Sequence, residues 1–434
     1  MKWMKTAAAV SLIALAAAGC SPGSGSNAST DGSSGGGGVV VIKYISSAVL
    51  ESPEKDFVQK VTDDFNAQNN GVKVEVEGVA ANDLLKKYTA LATANQMPDF
   101  YTDDIKDTAQ LVDMGIAEDV RNVFDSNYLN SFTANALAGV TVNGVPSGIP
   151  WTSTAQVILY RTDLFAAAGV KVPTTWDELV AAAKQLTGNN KYGITLVGTK
   201  DSSGAGRFQY VLRNFGVDEY TQDSSGKWQT DIGSDNYVAA LKAYTDLATV
   251  DGVVPPGVTE TGYAAAVNLL ASGQAAMLIT SSNAIGTITY QVPDLKSSLG
   301  SFPIPAVKRA VTSQSGQAFF VSPTSKHKEA VAKFLQFMVS DEKAIEFSQL
   351  TGRLPTLTTA EQNPAIGQDP ALGGSLQSLM AANVYITPPI PGYGENNDIE
   401  GEAFQSVFTG SATPEQAAAQ AQQRAQALVD KANG

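Results

Sequence analysis

One histidine and one cysteine occur in 434 residues. A His–Cys metal cluster is thereby excluded, and so is a disulfide within the chain. Histidine-dependent catalysis would rest on His327 alone, and its run Ser325-Lys326-His327-Lys328-Glu329 reads as a solvated helix start. Positive charge is scarce too: 29 Lys and Arg stand against 42 Asp and Glu, a formal net charge of -13. No basic stripe is present to neutralise phosphates, so nucleic acid is not an expected partner. A repeat of solenoid period is absent. Charged residues make up only 16%, but 43% are hydrophobic, enough to build large buried cores and to exclude disorder for the bulk of the chain. The length predicts two or three domains.

The amino terminus reads as an address. Lys2 and Lys5 form a basic head, and Ala7 to Ala18 is apolar except for Ser11. That run is shorter than the roughly 20 residues a membrane-spanning helix needs, and its layout is that of a secretory signal peptide. Ala18-Gly19-Cys20 resembles a bacterial lipobox, with Ala17 where leucine is usual. The resemblance implies cleavage before Cys20, lipid attachment to its thiol, and a chain tethered to a membrane. The alternative is an ordinary signal peptide cut near the Ala-rich end, with Cys20 a stray thiol. Residues 20–38, rich in Gly and Ser, predict a flexible tether behind a signal segment of residues 1–19.

From Val39 the pattern alternates. Val39 to Tyr44 is a β-branched strand, and Phe57, Val58, Val61 and Phe65 recur at helical spacing. Asn69-Asn70-Gly71 stops that helix, Val72 to Val79 alternates as a strand, and a second helical period leads to Phe100-Tyr101. Strand, helix, strand, helix, strand predicts an α/β fold with a parallel sheet, whose ligand crevice lies beyond the carboxyl ends of its strands. The alternation recurs beyond residue 155, which calls for a second sheet. Thr175-Trp176-Asp177-Glu178 and Thr413-Pro414-Glu415-Gln416 predict helix caps.

Three stretches then carry a resemblance. Gly148-Ile149-Pro150-Trp151 leads through Tyr160-Arg161-Thr162-Asp163-Leu164-Phe165-Ala166-Ala167-Ala168-Gly169 to Pro173-Thr174-Thr175-Trp176-Asp177-Glu178-Leu179. Leu270-Ala271-Ser272-Gly273-Gln274-Ala275-Ala276-Met277 is the second, and Phe320-Val321-Ser322-Pro323 with Thr351-Gly352-Arg353-Leu354-Pro355 the third. Together they resemble the extracellular solute-binding proteins of bacterial ABC importers, in the sugar-binding, maltose-binding-protein-like branch; Thr162 departs from the usual asparagine. The resemblance implies two α/β lobes joined by a hinge that the chain crosses several times, with a ligand cleft between them. It places residues 39–154 and 303–350 in the first lobe, and 155–302 and 351–434 in the second. It further implies a monomer that captures a small solute, typically a mono- or oligosaccharide, for transporter permease subunits, with no catalysis and no cofactor or metal.

A sugar site needs short polar groups, carboxylates or amides that take two hydroxyls, and aromatic plates. Trp151, after Ile149-Pro150 beside the first crossing, is the expected aromatic contact, or else packs between lobes. Ser46 and Ser47 follow the first strand. Asp103 and Asp104 follow Phe100-Tyr101, as hydroxyl acceptors or as helix caps. Asn283 stands where the family often has tryptophan, which disfavours a long stacked oligosaccharide. Gln317, Arg353 after its Thr-Gly turn, and Tyr393 in a glycine-flanked loop complete the set. Trp176, inside a cap, is expected to be structural. A polyamine held by Asp103, Asp104 and Glu51, or a hydrolase using two carboxylates, are the competing readings.

Overall fold

The computed structural model describes residues 38–68, 70–313, 315–380, 383–385 and 387–434. The signal segment, Cys20 and the tether as far as residue 37 lie outside them. Among the described residues no helix is long and apolar enough to cross a membrane.

The β-branched run forms the strand Val40–Ser46, and the helix Glu54–Ala67 buries Phe57, Val58, Val61 and Phe65 on one side, as their spacing requires. Val72–Gly78 pairs parallel with the first strand on one side, and Phe100–Asp104 pairs parallel on the other. Three later segments extend this sheet. Ser315–Val321 runs antiparallel between Phe100–Asp104 and Ile149–Thr154, and Leu354–Pro355 closes the edge beyond Ile149–Thr154. Successive residues point to opposite faces. Tyr44, Phe100 and Phe319 therefore enter one apolar core, and Ile45, Tyr101 and Phe320 enter another. This sheet is buried on both faces.

A second sheet holds Gln156–Arg161 between Met277–Ser281 and Leu299–Pro303. Its faces alternate likewise: Ile158, Ile279 and Phe302 face one core, while Val157, Leu159 and Leu278 face another. Both pairings are antiparallel, and only single bridges at Tyr192 and Thr195 add parallel partners. The strand–helix alternation thus marks a second sheet correctly but misses strand direction, which periodicity does not encode. Both anticipated caps form with reciprocal side-chain bonds, at Thr175–Glu178 and Thr413–Gln416.

Among the described residues the chain passes between the sheets three times. The first passage is at Ala155, between two consecutive strands. The second falls between Val311, still bonded to Asn214 of the second lobe, and Ser315, paired in the first sheet, not near residue 303, because Leu299–Pro303 pairs with Gln156–Arg161 in the second sheet. The third falls between Ala360, in a core of the first sheet, and Ile366, in a core of the second, rather than near residue 351. An apolar strand satisfies either sheet on sequence, and only its pairing partner decides.

Candidate ligand cleft

A cleft of about 370 Å³ opens where the two sheets meet. One wall is the turn after the first strand, with Ser47, Glu51 and Glu54, and Ala80 and Ala81 beside it; the other is the start of the helix Ala284–Gln291, with Asn283, Gly286 and Thr287. Gln317, Thr351 and Arg353 form the remainder. The position matches the expected crevice beyond the carboxyl ends of the parallel strands.

Arg353 is held in place. Its Nε donates to Glu54 Oε1 at 2.7 Å, and its backbone N–H donates to Thr351 Oγ1. The guanidinium is planar and fork-shaped, so a carboxylate fixed on Nε presets the direction of the terminal amino groups. Gln317 sits on a strand whose register shifts between Gln317 and Ala318. Its Oε1 is buried and has no hydrogen-bond partner among the described residues. A buried amide oxygen in this state is an acceptor waiting for a donor. Across the cleft, Asn283 Oδ1 accepts from Ser281 Oγ. The walls thus offer hydroxyl, amide, carboxylate and guanidinium groups, and the residues lining the cleft include no aromatic ring.

Of the expected site residues, Ser47, Asn283, Gln317 and Arg353 come together in this cleft. The others do not. Ser46 is buried, and its Oγ accepts from the Ala48 N–H and from Thr102 Oγ1, tying two strand ends together. Trp151 is 4% exposed, with ring centres of Phe319 and Phe347 at 4.9 and 4.8 Å. It is a core residue, because every residue of its strand is buried and a helix covers the face it occupies. Tyr393 packs edge-on against Tyr220, with its hydroxyl 3.4 Å from Glu219 and from Arg213. Its loop folds into the second lobe rather than over the cleft.

Asp103 and Asp104 end a strand of the first sheet, Asp104 opposite Gln317. Neither lines the cleft. Asp103 Oδ1 accepts the Asp104 N–H at 2.8 Å, and Oδ2 is buried without a partner among the described residues. Burial pushes its carboxyl up to about 7, with Asp107 and Asp104 adding to the rise and Lys106 opposing it. Asp104 is raised by burial as well, with Lys106 and Arg353 opposing. Glu54, Thr287 and Thr351 were not anticipated. Thr287 had a legible signal, since it lies one helical turn beyond Asn283 and so on the same face; Glu54 had none.

Among the described residues no group of three or more His, Cys, Asp or Glu is placed to hold a metal ion. Two lobes, each with its own sheet and cores, and a polar cleft between them define a two-lobed binding protein of the periplasmic-binding-protein type. The chain belongs to the bacterial extracellular solute-binding protein family, whose pattern matches residues 50–345. A putative binding protein of Brucella abortus (strain 2308) is 26% identical over 378 residues, covering 86% of this chain and 90% of the relative. An uncharacterized lipoprotein of Streptomyces antibioticus is 22% identical over 414 residues, covering 93% and 88%. The solved cyclic alpha-maltosyl-1,6-maltose binding protein from Arthrobacter globiformis shares the fold with a TM-score of 0.72 at 22% identity, over 91% of this chain and all of that one.

Proposed function

We propose that this protein captures a small uncharged carbohydrate in the cleft, closes its lobes over it, and delivers it to an ABC transporter permease from the outer face of the membrane. Lipid on Cys20 would keep it there; the lipobox supports that reading, and so does a relative named as a lipoprotein. The observation that carries the ligand class is the cleft wall. Ser47, Asn283, Thr287, Gln317 and Arg353 can exchange hydrogen bonds with hydroxyls from both lobes, and the buried Gln317 amide oxygen has no hydrogen-bond partner among the described residues. A cleft of about 370 Å³ without an aromatic plate suits about one or two sugar rings better than a long stacked chain. The solved Arthrobacter relative is named for a sugar ligand, which supports the same class.

A polyamine fits less well. Glu54 is already committed to Arg353, and Asp103 and Asp104 do not line the cleft, which leaves Glu51 as its free acid among the described residues. Hydrolysis fits less well too, because the carboxyl raised to about 7, a general acid's range, lies outside the cleft. Calorimetry with glucose, mannitol, maltose and maltotriose against putrescine and spermidine tests this reading. Binding of a saccharide, weakened roughly tenfold or more by Arg353→Ala, is expected. Polyamine binding without saccharide binding, or release of reducing ends by the purified protein, contradicts it.

A further inference from the structure

We infer that Gly286 and Gly352 form the fulcrum on which the lobes turn, and that the absence of side chains there sets how far the cleft can close. The inference rests on the closing cleft proposed above. Gly286 lies on the helix Ala284–Gln291, whose Ala284, Ile285 and Ile288 belong to a core of the second sheet. Thr351 ends the helix Asp341–Thr351, whose Ala344 and Phe347 belong to a core of the first. The two helices meet backbone to backbone. A Cβ on Gly286 would lie 2.6 Å from Thr351 Cα and from its carbonyl oxygen. The contact is reciprocal: a Cβ on Gly352 would lie 2.3 Å from the Ser282 carbonyl oxygen and 2.7 Å from Ile285 Cβ. Gly352 also has φ +73°, a left-handed conformation that any side chain would strain.

The same turn is stitched to the first passage between the sheets. Ser282 N–H donates to the Ala155 carbonyl at 2.9 Å, and the Ala155 N–H donates back to Ser282 Oγ. Ile345, on the Asp341–Thr351 helix, packs against cores of both sheets. One short turn, residues 282–286, therefore touches the chain at the first passage and just before the third. Asn283, Gly286, Thr351 and Arg353 line the cleft beside this contact, so a change in spacing here is magnified at the far side of the cleft. Two backbones in contact make a stiff pivot, because neither can yield by rotating a side chain.

Gly286 is thus a positioning residue: on helix propensity alone alanine would suit it better, but a methyl there must push the lobes apart. The test compares wild type, Gly286→Ala and the control Gly206→Ala, a helical glycine with open space around it, by calorimetry with the saccharide panel and by small-angle scattering. Gly286→Ala is expected to enlarge the unliganded particle, to blunt its contraction on loading, and to weaken saccharide binding roughly tenfold, while Gly206→Ala behaves as wild type. Wild-type affinity, size and contraction in Gly286→Ala overturn the proposal. Should that variant fail to fold, spin labels on Tyr290→Cys and Leu350→Cys, exposed positions on the two helices, in a Cys20→Ser background decide the matter. Their separation holds constant on loading if the contact is the fulcrum, and a change as large as the overall contraction overturns it. If no saccharide binds even wild type, the proposed function fails, and the fulcrum is judged by the unliganded particle size alone.

Discussion

Asp103 shows how a single buried group shapes the pH response. Its carboxyl is raised from 3.8 to about 7 mainly by burial, so between those values the folded chain holds a proton that the unfolded chain releases. Its contribution to stability is complete below about pH 4 and is lost as pH rises through about 7. Glu400 acts in the same direction: it is fully buried, accepts from Gln209, and is raised well above its usual range by burial and by the charge of Glu219. Unfolding free energy should therefore decline as pH rises from 5, and Asp103→Asn should flatten the part of that decline between about pH 5 and pH 7, by on the order of a few kcal/mol. A denaturant series across pH checks this, and an equal slope in variant and wild type contradicts it. Trp151 gives the second prediction at this scale. Between Phe319 and Phe347 it is a core plate, so Trp151→Ala should cost about 3–5 kcal/mol of stability. Saccharide affinity of the folded fraction should barely change, and a large loss of affinity with stability intact would return Trp151 to the binding site.

Among elements, the strand leading into the second passage is anchored by a buried ion pair. Arg213, on the helix Ser202–Asn214, donates from Nη2 to Glu219 at 2.9 Å and from Nη1 to Ser313 Oγ at 2.6 Å, and lies over the Tyr385 ring. Removing one partner of such a pair leaves an uncompensated buried charge. Arg213→Ala should therefore lower stability by about 3–5 kcal/mol, read from the denaturant midpoint, whereas a midpoint near wild type would mean that Glu219 finds water. None of this network was legible from sequence, since Arg213, Ser313 and Tyr385 lie far apart along the chain and no local pattern pairs them. What was legible was local: the apolar faces of the helix Glu54–Ala67, the alternation of the first three strands, and both capping boxes. The site was half legible for the same reason. Ser47, Asn283, Gln317 and Arg353 follow from their place at the ends of strands and turns. The burial of Ser46, Trp151 and Tyr393 depends on distant partners such as Thr102, Phe347 and Glu219.

At the scale of the whole molecule, the function proposed above makes binding a closure of the lobes. Contacts from Ser47 on one side and from Asn283 and Thr287 on the other, with Arg353 beside the fulcrum between them, are satisfied by one ligand only when the walls approach. A ligand moves the open–closed equilibrium only by its differential affinity for the two states. A roughly hundredfold preference supplies about 2.7 kcal/mol, enough to turn a mostly open population into a mostly closed one. On the proposed function, a permease would read loading as shape. Small-angle scattering of the Cys20→Ser chain, with and without the saccharide that calorimetry identifies, tests this most directly. The account predicts a smaller radius of gyration on saturation, reversed when the sugar is dialysed away; tight binding with superimposable scattering curves would contradict it.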